Sequence, residues 1–218
     1  MVDKSNEYGY VPESPTQARG SNTGIFEVND VTDLLLAEQW SGDFGQLELL
    51  STQSVSNTTT VDFTNIDTSY NVHFFTFNNL QREDSSGAAD MRIQFYESGV
   101  LEDASVYQYA QQYGSAGGAF GELKSTADSG IDITADTSNA DVQNGYFYMY
   151  NAGDSSKYTF TTHQTLWQPN SIGFYMFFAS GVLPQTSVVN GVRFLLKNSK
   201  TFNATTTGTI SLYGIAES

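Results

Sequence analysis

From about Gly45 to its end the chain repeats one signal: short apolar strings that alternate every second residue, each followed by turn formers. Leu47/Leu49, Val61/Phe63, Val72/Phe74, Met91/Ile93/Phe95, Ile131/Ile133, Tyr158/Phe160, Ile172/Phe174/Met176/Phe178, Val192/Phe194/Leu196 and Ile210/Leu212 all keep period two. Successive side chains of an extended strand point to opposite faces, so this spacing builds strands and lays no continuous stripe along a helix. The separators are Asn65-Ile-Asp-Thr-Ser, Glu83-Asp-Ser-Ser-Gly, Asn151-Ala-Gly-Asp-Ser-Ser and Asn198-Ser-Lys. Short, evenly punctuated strands predict an all-β, antiparallel, jelly-roll-like β-sandwich. Two strings, Tyr146-Phe-Tyr-Met-Tyr150 and Phe174-Tyr-Met-Phe-Phe178, are apolar or aromatic on both faces. They predict central strands, or strands with one face against another chain.

Ahead of that body lies a different kind of sequence. Residues 1–28 are rich in Pro, Gly, Ser and Asn and hold no regular period, yet Tyr8, Tyr10, Val11, Ile25 and Phe26 make them more apolar than a solubilising tail requires. They read as an extended arm that docks on something else. A short helix is predicted over 30–40: Asp30 and Asp33 can cap its free N–H groups, Val31, Leu34 and Leu35 fall on one face, and Ser41-Gly42 stops it. A helix this short needs a packing partner. The predicted division is therefore an anchoring arm with its helix over 1–44 and a sandwich over 45–218. The anchor residues are Tyr8, Tyr10, Val11, Ile25, Phe26, Leu34, Leu35 and Trp40.

Charge narrows the function. Only 15% of residues are charged, against about 25% in an ordinary soluble domain. The polar surface must come from Ser, Thr, Asn, Gln and Gly. The net charge of −15 repels phosphate backbones and anionic lipid, and the nine basic residues form no patch. Nucleic acid and membrane are not expected as partners. The absence of cysteine removes disulfides, zinc–thiolate sites and thiol nucleophiles. The opening MVDKSNEYGY lacks the basic and apolar regions of a secretory signal.

Catalytic chemistry is thinly represented, and no catalytic residue is assigned. His73 sits in an apolar strand and reads as structural or surface-facing; His163 has no companion acid or serine motif beside it. No G-x-S-x-G, P-loop, G-x-G-x-x-G or H-E-x-x-H pattern occurs. Glu97 with Glu102, or Asp132 with Asp136, are carboxylate pairs of the type used in glycoside hydrolysis, but an acidic surface explains them as well. Asp128, Asp132, Asp136 and Asp141 are the one stretch with oxygen ligands for calcium. It lacks a D-x-[DN]-x-[DN]-G loop, and no cofactor is expected. The segment Gly114-Ser-Ala-Gly-Gly-Ala-Phe-Gly121 reads as a mobile loop. Tyr107, Tyr109, Tyr113 and Phe120, read as loop residues, are candidates for stacking on sugar rings; the alternative for the first two is strand residues facing the core.

Tyr8-Gly-Tyr-Val-Pro-Glu-Ser-Pro-Thr-Gln17, Asn22-Thr-Gly-Ile-Phe26 and Asp30-Val-Thr-Asp-Leu-Leu35 ahead of Trp40 form one set of motifs. Ser54-Val-Ser-Asn-Thr-Thr-Thr-Val-Asp-Phe63, Arg92-Ile-Gln-Phe95 and Gly208-Thr-Ile-Ser-Leu-Tyr-Gly-Ile215 form a second. Together they resemble small virion structural proteins of tailed, especially marine, bacteriophages. The resemblance implies a non-enzymatic protein located in the virion and assembled in the host cytoplasm. Its arm would bind other virion proteins and its sandwich would be displayed on the capsid or tail, with head decoration or head fibre preferred. It further implies a homo-oligomer, with a trimer favoured. The alternative is a carbohydrate-binding or host-receptor-binding module, with a host-surface glycan as ligand.

Overall fold

The structure is a computed structural model that describes residues 47–83, 89–134, 142–168, 173–205 and 207–215. The predicted arm, the helix at 30–40 and all eight anchor residues lie outside them. Strands follow in the order β1 (Leu47–Val55), β2 (Thr60–Thr64), β3 (Val72–Leu80), β4 (Met91–Glu97), β5 (Val100–Leu101), β6 (Tyr107–Ser115), β7 (Phe120–Asp128) and β8 (Ile131–Asp132). They continue with β9 (Val142–Tyr150), β10 (Thr159–Gln168), β11 (Tyr175–Leu183), β12 (Val189–Leu196) and β13 (Gly208–Ile215).

Two antiparallel sheets pack as a sandwich. The large sheet runs β1-β13-β3-β9-β10-β11-β6-β7; the small one runs β2-β12-β4-β5, with β8 also pairing with β4. The predicted turns carry the geometry their residues permit. Asn65, Asn151 and Asn198, which open three of those clusters, all take positive φ (55°, 63° and 59°), a conformation asparagine tolerates better than most residues.

The core lies where β3 and β9 of the large sheet face β2 and β12 of the small one. Phe75 and Phe147, on adjacent strands, stack with centroids 4.4 Å apart and planes 9° from parallel. Phe63 meets Phe75 edge-on at 5.5 Å, and Phe194 closes the group against both Phe75 and Phe147. Such pairs add about 0.5–1.5 kcal/mol each to the burial of their apolar area. Beside them Phe77 lies opposite Gly145 in the β3–β9 register. A Cβ at Gly145 would stand 2.5 Å from the Gln164 carbonyl oxygen and 2.6 Å from the Phe77 ring. Because the carbonyl belongs to a paired neighbouring strand, it has little room to yield. Gly145→Ala is expected to cost about 1–3 kcal/mol, measured as a lower urea midpoint at unchanged slope.

Two expectations are corrected. The glycine-rich run Gly114–Gly121 is no mobile loop: it is the tip of a hairpin whose strands β6 and β7 form one edge of the large sheet. Tight spacing requires glycine here, since a Cβ at Gly121 would stand 2.4 Å from Tyr113 Cζ. Tyr113 and Phe120 are strand residues and not loop residues, and Tyr107 and Tyr109 take the alternative place given them, on a strand and facing the core.

Candidate interaction face of the large sheet

Of the groups weighed for catalysis, His73, Glu97 and Glu102 bond to neighbouring protein atoms and His163 is enclosed between strands. His73 is buried, with Nε2 2.7 Å from the Asp67 carbonyl oxygen. Burial pulls its pKa below the usual value, only partly offset by Asp67. His163 is buried between Phe147 of β9 and Ala179 of β11 in the register, and neither ring nitrogen has a well-formed hydrogen bond. Burial depresses its pKa to about 3, against a small opposing effect of the Asp132 backbone. Glu97 accepts a hydrogen bond from Ser187 Oγ; Glu102 accepts from the Ala104 N–H at 2.8 Å and from Gln185 Nε2 at 3.2 Å.

Asp128 and Asp132 face cations of the protein itself. Arg92 on β4 is 4% exposed; its Nε donates to Asp132 Oδ1 at 2.7 Å and its Nη1 to Ser129 Oγ at 2.6 Å. Its Nη2 makes an ion pair with Asp128 Oδ1 at 2.8 Å. The second oxygen of Asp132 accepts from Tyr109 Oη at 2.7 Å and from Lys197 Nζ at 3.0 Å, and Lys197 also reaches Asp90. These carboxylates thus tie β4, β6 and β8 together. Asp136 and Asp141 lie outside the described residues, and among the described residues no cluster of three or more metal-ligating side chains occurs.

Of the four aromatic residues proposed for sugar stacking, three point inward. Tyr107 is buried, its hydroxyl donating to the Glu102 carbonyl and accepting from the Phe95 N–H. Tyr109 bonds Asp132, and Tyr113 packs on Tyr175 and Phe177. Phe120, on edge strand β7, is 82% exposed.

What the structure does assemble is the outer face of the large sheet. Its registers align side chains in rows that cross the strands. One row reads Leu47, Ile215, Val72, Tyr150, Phe160, Val182 from β1 to β11. The next reads Leu49, Tyr213, Phe74, Tyr148, Thr162, Ser180, and reaches Ala110 on β6. A third reads Thr52, Ser211, Thr76, Tyr146, Gln164, Phe178, and reaches Gln112. Phe74 stands at the centre of a continuous aromatic patch, 4.7 Å from Tyr148, 5.8 Å from Tyr146 and 6.0 Å from Tyr213. Leu49, Phe160 and Phe178 are exposed at 58%, 45% and 49%.

This face carries no charged side chain on β1, β13, β3, β9, β10, β11 or β6, in a chain with 24 acidic and nine basic residues. The first charges appear on β7, where Lys124 pairs with Glu122. Clusters of large, partly exposed apolar side chains of this kind are candidates for contact with a partner. The aromatic strings 146–150 and 174–178 signalled this face in the sequence. Phe160 and Leu166 did not, because alternation gives the period of a strand and not which face turns outward.

No family model and no curated protein matches this chain. Among solved structures, the chain is similar to "Crystal structure of HCR/D-Sa-GBL1/C" at 9% identity and a TM-score of 0.26. The match covers 79% of this chain and 42% of that one, so the chain spans less than half the length of that structure.

Proposed function

We propose that the chain is a non-enzymatic structural protein of a tailed-phage virion, anchored through residues 1–44 and displaying the sandwich on the capsid or tail, with head decoration or head fibre preferred. The observation that supports this best is the uncharged aromatic outer face of the large sheet, which suits close packing against protein neighbours. The motifs of the arm and of the sandwich point the same way. The test is incorporation: deleting residues 1–42 is expected to leave a folded sandwich that no longer enters the particle, measured by mass spectrometry of purified virions. Full occupancy by the truncated chain overturns the anchor.

A second reading, a module for a neutral host-surface glycan, is favoured by the tyrosine, glutamine and threonine side chains on the same face. It expects selective binding on a glycan array, lost on Tyr148→Ala. Uniform absence of binding removes it.

A further inference from the structure

The outer face is divided across its width into two unlike halves. In the row that begins at Leu49, the strands β1, β13, β3 and β9 carry Leu49, Tyr213, Phe74 and Tyr148, a ridge of large side chains. In the same row β10, β11 and β6 carry Thr162, Ser180 and Ala110, all small. These three line a shallow trough bounded by Phe160 and Phe178, and closed at the sheet edge by Lys124 and Glu122 of β7. A two-fold axis along the strands, between β9 and β10, exchanges the halves. It places β3 over β11, β13 over β6, and ridge over trough.

We infer that this face pairs with the same face of a second copy, as an isologous two-fold dimer in which Tyr148, Phe74 and Tyr213 of each copy seat in the Thr162–Ser180–Ala110 trough of the other. An isologous contact requires one patch to be complementary to itself, and the ridge and trough supply that. The apolar row through Val72, Tyr150, Phe160 and Val182 maps onto itself under the same axis. Stacked sheets cross at about 30° because each is twisted, so contact is tightest near the axis, where Tyr148 meets Thr162.

Charge selects the same occupant. Two chains of net charge −15 repel one another wherever carboxylates meet, and from β1 to β6 this face holds none; its one carboxylate, Glu122 on edge strand β7, is paired with Lys124. Two pairs of its polar side chains are also turned to one another. Tyr146 Oη donates to Gln164 Oε1 at 2.9 Å, and Tyr150 Oη shares a hydrogen bond with Thr162 Oγ1 at 3.1 Å. Hydroxyls already satisfied in this way suit a dry protein contact better than a hydrogen-bonding glycan. With strands about 4.8 Å apart and three rows about 7 Å apart, the face spans about 600 Å² of plane. That is of the order of the about 800 Å² per partner in stable interfaces.

This inference rests on the reading of the face as an assembly surface and departs from the threefold association implied by the sequence resemblance. The test is light scattering on the full chain, expected to give twice the 23.9 kDa chain mass. Ser180→Arg and Phe74→Glu, both on the outer face, are each expected to weaken pairing roughly a hundredfold, with circular dichroism unchanged. The two substitutions combined should restore it, because Phe74 of one copy lies over Ser180 of the other. A monomer at about 100 µM, a trimer, or a dimer indifferent to both single substitutions overturns the inference. So does a monomeric chain retained on a neutral polysaccharide matrix and released by Phe74→Glu. The virion reading is judged separately by particle incorporation, so a dimer that never enters particles overturns that reading and leaves this one standing.

Discussion

Replacing Arg92 by methionine is expected to destabilise the sandwich by about 3–5 kcal/mol, because it strands a buried carboxylate. Asp132 is 3% exposed, and its Oδ1 receives the Arg92 Nε hydrogen at 2.7 Å. Without the guanidinium, Lys197 and Tyr109 still reach the other oxygen, so the loss is large without being the whole cost of burying a charge. Asp128 is partly exposed and can turn to water. The companion variant separates charge from packing. Arg92→Met combined with Asp132→Asn removes the unpaired charge while keeping an acceptor for Tyr109 and Lys197. It should recover a good part of the lost stability in urea unfolding. If the double variant is no better than the single one, the cost lies in the packing of the Arg92 stem.

Acid should weaken the fold well before its carboxylates titrate. His163 is buried and neutral, with its pKa depressed from 6.5 to about 3, and burial lowers His73 as well. Below about pH 6.5 the unfolded chain takes up protons at these positions that the folded chain refuses. Stability therefore falls as pH drops from 6.5 toward 3, by about 1.4 kcal/mol per pH unit for each histidine that stays neutral. Urea unfolding at pH 7.0, 6.25 and 5.5 reads this slope in a window above most carboxylate titration. His163→Gln should remove about one proton's share of it, whatever its effect on stability at neutral pH. An unchanged slope means that His163 is charged in the folded protein.

The all-β sandwich was legible from period two and from turn residues, because both are local. Asn65, Asn151 and Asn198 mark turns in the sequence and take positive φ in the structure. The phase of a strand was less legible. At the start of β10 the apolar pair Tyr158/Phe160 is exposed, and Thr159, Thr161, His163 and Thr165 are buried. Hydrophobicity alone ranks those two sets the other way. The hairpin of β6 and β7 was missed because its glycines make room for neighbouring aromatic rings as well as permitting turns, a use visible only once Tyr113 lies over Gly121. The outer face of the large sheet was half legible. Its aromatic strings stood out, whereas its rows depend on pairings such as β1 with β13, between segments far apart in the chain. The Arg92 cluster was hidden for the same reason, though an arginine inside the apolar string Met91–Phe95 was a local sign of a buried partner.

The pairing of β1 with β13 also fixes how the sandwich answers to force. Leu47 lies opposite Ile215 and Val55 opposite Gly208, so the first and last strands leave the large sheet side by side, at one corner. Tension applied to both strands there meets the ladder end-on and opens its hydrogen bonds one pair at a time, as a zipper opens. Tension between the Leu47 corner and the far edge at β7 is instead spread across the width of the sheet. A grip on both strands would therefore peel the sheet from that corner.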